Sequence, residues 1–220
     1  MTFKGNRKCN FRSILSPKRE ALLGLLSDQE QLLRLFSSED DVPSVFVLYI
    51  LSFGNIDGKI CTDHYESEDS DKFISFSTTD IFDSLKNLTL FDTCLKIVNF
   101  GPCRGEYFDT IYSANQGKFD NENSCRITYE PKMRNLVVFY STVETTRAVR
   151  GESGTIFAQE SCNVINSMPK DEPLVNVFTS IQFQIYQNSK GNYDLDECKY
   201  ISQTPEIKIF AMKSNFSFSK

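Results

Sequence analysis

The chain has 220 residues, 40% apolar and 24% charged, with 24 Lys and Arg against 29 Asp and Glu for a net charge of −5. That is enough apolar material for one core, and the acidic balance supplies no basic field for a phosphate backbone, so nucleic acid is not an expected partner. No run approaches the roughly eighteen apolar residues of a membrane span, and a single histidine excludes a multi-His metal site.

The basic N-terminus, Met1 to Lys8, lacks the apolar stretch of a signal peptide, so a reducing, cytoplasmic location is expected. There the seven cysteines, at 9, 61, 94, 103, 125, 162 and 198, remain thiols. Their spacing holds no CxxC pair for zinc, and neither a metal nor a cofactor is expected.

Pro17 to Phe36 reads as an amphipathic helix with Ser16 as N-cap, because Leu22, Leu25, Leu26, Leu32, Leu33 and Phe36 recur at three- and four-residue spacing. After an acidic turn, Val45 to Leu51 is a continuous apolar run, which predicts a strand buried on both faces. Cys61 to Asp71 reads as a polar excursion and Thr79 to Leu85 as a short helix. Leu95 to Phe100 is a second buried strand, stopped by Gly101-Pro102, and Glu106 to Ser124 is loop-like. Leu136 to Tyr140 is a third strand. Phe157 to Met168 and Val175 to Ile185 read as helices, a polar loop runs on to Glu197, and Ile207 to Met212 closes the chain as a strand. Strands alternating with helices predict an α/β fold, a central, mostly parallel sheet with helices on both faces.

In such sheets chemistry gathers beyond the carboxyl ends of the strands. Two segments fall there: Ser52-Phe53-Gly54 and Gly101-Pro102-Cys103-Arg104-Gly105. A cysteine on a tight turn beside an arginine suits a thiolate nucleophile; it suits equally a small buried thiol next to a loop cation.

The surroundings of this turn resemble the caspase family, the Asp-directed cysteine proteases of apoptosis and innate immunity. The family's nucleophile lies in Gln-Ala-Cys-Arg-Gly and its His in Leu-Ser-His-Gly, about 50 residues upstream. Here Leu51-Ser52-Phe53-Gly54 stands fifty residues before Cys103. Tyr140-Ser141-Thr142, Arg150, the run from Gly154 to Cys162, and Gln203-Thr204-Pro205-Glu206 match later family segments in the same order. The resemblance implies a caspase-like three-layer α/β sandwich, with 1–108 as a truncated large-subunit-like region, 109–127 as an intersubunit-like linker and 128–220 as a small-subunit-like region.

The departures bear on function. Phe53 occupies the position where the resemblance implies the catalytic His, and losing a general acid–base costs a factor of about 10² to 10⁴. His64, eleven residues on in an acidic stretch, reads as a solvated surface residue rather than a replacement. The backbone N–H groups of Gly54 and Cys103 remain as an implied oxyanion hole. The implied aspartate pocket needs two Arg and a Gln, because a buried carboxylate must be fully paired. Gly101 stands at the Gln position, no Arg-x-Gly-Thr occurs, and Arg150 matches the remaining Arg, with Arg147 a rival. Asp109 and Asp120 are candidate linker cleavage positions, or plain loop carboxylates.

Two functions fit. One is a non-catalytic caspase homologue, a pseudocaspase or decoy, that pairs with an active caspase as a heterodimer, or with itself, or competes for activators. The other is a residual or altered-specificity endopeptidase using Cys103. No death-fold prodomain is expected ahead of the short basic tail. By resemblance the last strand is a pairing edge, with Ile207 and Ile209 on one face and Phe210 and Met212 facing the partner; a simple core strand is the alternative.

Overall fold

The structure, a computed structural model, describes residues 12–36, 44–54, 59–65, 73–105, 109–110, 133–144, 146–151, 154–169, 171–190, 192–194 and 199–212. Two helices begin it, α1 (Arg19–Ser27) and α2 (Gln29–Phe36), where the apolar spacing predicts one. Asp28 divides them. Its backbone leaves the helical region at φ −103° and ψ 97°, and its carboxylate accepts the Gln31 N–H at 3.0 Å. A side chain that caps a new helix competes with continuing the old one. Ser16 is not the cap of α1; it has a φ of 45°, and Lys18 holds the N-cap position without a side-chain bond.

β1 (Val45–Ile50) leads to an antiparallel pair, β2 (Ile60–Tyr65), most of which falls in the stretch expected as a polar excursion, and β3 (Phe73–Phe76) just beyond it. Paired strands need only a few residues, too short for periodicity to register in a polar segment. α3 (Thr78–Lys86) follows, opened by a capping box in which Ser77 and Asp80 bond reciprocally to each other's backbone. β4 (Leu95–Phe100), β5 (Asp109–Thr110) and β6 (Leu136–Tyr140) come next. β7 (Arg150–Gly151) and β8 (Gly154–Thr155) form a short hairpin before α4 (Ile156–Ser167) and α5 (Leu174–Ser189). β9 (Asn192–Asp194), in the stretch expected as a loop, pairs with β10 (Lys199–Ser202) beyond it, and β10 also pairs with β5. β11 (Glu206–Phe210) is the last strand.

The central sheet has the order β1-β4-β6-β11, the first three parallel and β11 antiparallel to β6. β4 and β6, in the middle, are buried at every position; β6 is a continuous apolar run, whereas β4 buries Lys96 and Asn99 among its apolar residues. One face packs under α1, α2 and α3 through Leu26, Leu32, Phe82, Leu85, Phe100 and Val138. The other packs under α4 and α5 through Ile97, Phe139, Phe157, Val164, Phe178 and Ile181. The result is a three-layer α/β sandwich with a mostly parallel sheet. Phe139 shows how tight the second layer is: it is fully buried and meets Phe157 and Phe178 edge-to-face at 4.9 and 5.7 Å. Truncating such a side chain to Ala costs about 3–5 kcal/mol.

Two expectations for the edge strands need correction. β1 is not buried at every position: it stands at the end of the sheet among the described residues, and Val47 on it is 44% exposed. β11 does lie at an edge, but Phe210 packs into the α1–α3 side of the chain's own core, and Met212 joins Ile207 on the α4–α5 side. Met212 changes face because Ala211 takes φ 45°, which ends the two-residue alternation. Ile209 is the outward residue, 45% exposed. Among the described residues no helix is long and apolar enough to cross a membrane, and no group of His, Cys, Asp and Glu is placed to hold a metal ion.

Candidate functional site

The carboxyl ends of β1, β4 and β6 converge on one loop cluster. Past β4 the Gly101 N–H still donates to the Ile50 carbonyl at 2.9 Å, so the chain stays beside β1 until the turn. Ser141, the residue after β6, holds the other side. Its N–H donates to the Phe100 carbonyl at 2.8 Å, and its hydroxyl reaches the Gly101 and Pro102 carbonyls at 3.0 and 3.2 Å. Cys103 therefore projects from a turn tied to both neighbouring strands.

The loop after β1 meets this turn closely. A Cβ built on Gly54 would lie 1.9 Å from the Cys103 carbonyl oxygen, so only glycine lets the two backbones approach. The segment is pinned on its far side: the Cys61 N–H donates to the Phe53 carbonyl at 2.9 Å, and the Ser52 hydroxyl donates to the Cys61 carbonyl. Gly54 and Cys103, forty-nine residues apart in the chain, thus stand together in the structure. Phe53 is 68% exposed at this junction, and Leu51 beside it is 61% exposed. Phe53, next to Gly54 in the chain, presents an apolar, solvent-facing ring that carries no proton to give or take.

Cys103 is half-buried, and its sulfur accepts the Ala148 N–H at 3.2 Å. The neighbouring Arg104 N–H donates to the Thr146 carbonyl at 3.0 Å, so residues 146–148 run alongside the turn as its outer wall. Gly101 is crowded; a Cβ there would come within 2.9 Å of a Leu51 methyl and 3.2 Å of the Ile50 carbonyl. Arg150 is exposed on the β7–β8 hairpin, and Arg147 is exposed as well. His64 lies on β2 rather than in a loop, and its side chain falls outside the described ones. Asp109 pairs with Ser202 through β5, inside the stretch expected as linker; Asp120 lies outside the described residues.

Two residues whose roles sequence reasoning did not identify organise the cluster. Arg104 reaches away from the thiol: one guanidinium nitrogen donates to the Thr142 carbonyl at 3.1 Å and to Glu206, and another reaches Glu144 at 2.9 Å. Its plane lies 4.0 Å over the Tyr140 ring. Burial pushes the Tyr140 phenol up to about 12 against the opposing pull of Arg104, so the ring stays a neutral platform. The Glu144 pair is half solvated and contributes little; the less exposed end of the network, on half-buried Glu206 and the buried Thr142, contributes most. Gln203 is fully buried; its amide donates to the Ser141 carbonyl at 2.7 Å and accepts the Val149 N–H at 2.7 Å. One side chain thus joins the loop that holds the thiol turn to the wall that covers it. Arg104 was expected as a cation favouring the Cys103 thiolate, whereas its guanidinium is taken up by Thr142, Glu206 and Glu144; Gln203 entered the sequence reading only as a matched letter, since nothing in local pattern marks a buried amide that bridges two loops.

A model of the caspase domain matches residues 26–216. The chain belongs to the caspase domain family. Among solved structures it is similar to caspase-1 from Spodoptera frugiperda, with a TM-score of 0.66 and 14% identity, over 93% of this chain and 72% of that one. At that identity the likeness speaks for the fold alone. No curated protein matches. Within this caspase-family chain the thiol turn, the Gly54 approach and the Tyr-Ser-Thr segment occupy one cluster, while the position implied for the histidine holds the exposed ring of Phe53.

Proposed function

We propose that this chain is a non-catalytic caspase homologue that regulates an active caspase in apoptosis or immune signalling, acting in the cytoplasm by pairing with it or competing for its activators. Phe53 carries this reading. Beside a thiol turn that is otherwise well built, a 68% exposed phenylalanine replaces the group that would accept the thiol proton and protonate the leaving amine. Two further features support it. Gly101 has no side chain to pair an aspartate and little room for one, and Arg150 points from an exposed hairpin rather than from a closed pocket. A buried carboxylate left with so few partners binds poorly.

For the pairing surface we take the edge strand β11, with Ile209 as the contact residue, since Phe210 serves the chain's own core. The test is co-expression of the full chain with candidate active caspases, reading co-purification and the partner's turnover of an Asp-containing fluorogenic peptide. The proposal expects a stable complex and a changed partner rate, both lost in Ile209→Asp. Partners that neither co-purify nor change rate would refute it, and Cys103-dependent turnover by the chain itself would favour the residual endopeptidase instead.

A further inference from the structure

A polar cavity lies at the opposite end of β4 from Cys103. It has a volume of about 210 Å³ and sits between the end of α3 and the starts of β4 and β6. Lys86, Leu88, Asp92, Lys96, Met133 and Arg134 line it. Three cations and one carboxylate converge there, in a chain whose net charge is −5.

Lys96 is the unusual member. It lies on a wholly buried strand and is 3% exposed. Its ammonium donates to the Phe91 carbonyl at 2.7 Å and the Cys94 carbonyl at 3.1 Å. An ammonium has three N–H donors, so one remains for the cavity, and among the described residues no carboxylate forms an ion pair with it. Desolvation lowers its pKa, with Cys94 and Asp92 opposing, which is the mark of a buried charge short of counter-charge. At the rim, Lys86 and Arg134 are both exposed, and neither forms an ion pair among the described residues. Met133 and Leu88 supply apolar walls. At about 30 Å³ for each water in the liquid, the cavity has room for about seven waters, ample for a tetrahedral anion and a few attached atoms.

From this arrangement we propose that the cavity binds a phosphate-class oxyanion, free or as a small monoester, with Lys96 at its floor and Lys86 and Arg134 closing on it from the rim. Arg134 supplies a planar fork for two oxygens, and Lys86 and Lys96 supply point charges. The site is separate from the thiol turn and does not depend on the regulatory reading.

The test is binding of inorganic phosphate and of phenyl phosphate to the full chain at fixed ionic strength, with chloride as the balancing anion. It is read by calorimetric titration and by the unfolding midpoint. A saturable heat and a midpoint that rises with ligand as binding to the folded state requires are expected for one or both probes. Binding of both identifies a monoester site, and binding of inorganic phosphate alone a free-anion site. Lys86→Ala with Arg134→Ala, both exposed and outside the core, weakens the bound probe by about tenfold for each cation removed. Lys96→Met abolishes binding if the variant folds, and the rim pair decides the matter if it does not. Absence of saturable binding by either probe, or equal affinity in the rim variant, overturns the proposal.

Discussion

Gln203→Ala tests how the loop cluster is held. The wild-type amide satisfies two backbone groups from different loops, the Ser141 carbonyl and the Val149 N–H, both at 2.7 Å, from a side chain with no exposure. Removing it leaves a donor and an acceptor without their partner. Each such orphan costs about 1–3 kcal/mol; taking about 1.5 for each gives about 3 kcal/mol in total. For a chain of this size about 1 kcal/mol moves the unfolding midpoint by about 2–4 °C, so a fall of about 6–12 °C is expected by circular dichroism or calorimetry. Hydrogen exchange separates this local bridge from a general loss of packing. The Val149 amide should lose more protection than amides in β4, which lie in the fully buried centre of the sheet. A midpoint within about 1 °C of wild type, with the Val149 amide still protected, would refute the reasoning.

Other consequences follow from the same geometry. Gly54→Ala places a methyl against the Cys103 carbonyl and should cost about 1–3 kcal/mol in urea unfolding; an unchanged midpoint would mean the two backbones do not meet. Arg104→Ala removes the Glu206 and Thr142 contacts and the Tyr140 stack, and should lower stability by about 1–3 kcal/mol, with Arg104→Lys failing to restore it; full rescue by Lys would show that charge alone matters. Burial raises the Cys94 thiol from 9.0 to about 11, so the folded state holds that proton longer than the unfolded state does. Its stabilising effect is complete below pH 9 and is lost as the pH rises through about 11, so Cys94→Ala should flatten the fall in stability across that window; an identical slope in the variant would contradict this assignment.

What could be read from sequence divides along physical lines. β6 was legible because a strand buried on both faces carries an uninterrupted apolar run, and β4 because its apolar residues outnumber the buried Lys96 and Asn99; the bounds of both agree with the expected ones to the residue. β1 carries the same kind of run yet stands at the end of the sheet, since a hydrophobic run reports what the residues tolerate and not how many neighbours the strand finds. The break at Asp28 was hidden because apolar spacing carries across a cap. In β11 alternation assigned Phe210 to a partner, whereas an edge strand in this sandwich still has helices on both faces, and Phe210 and Ile207 each find one. At the site, Gly54 and Cys103 were named together only through the family resemblance, and the structure brings their backbones into contact. The Gln203 bridge and the Arg104 network were not legible, because they join residues from separate loops that come together only after the sheet has formed.

The central claim is that the thiol turn is built but lacks its proton-transfer partner. Turnover of an Asp-containing fluorogenic peptide by the purified full chain, compared with Cys103→Ala, tests it most directly. The account predicts that the two proteins are indistinguishable from each other and from buffer. It predicts also that Phe53→His restores little, because Gly101 still offers no amide to pair the aspartate. Turnover by the wild-type chain that vanishes in Cys103→Ala would contradict it.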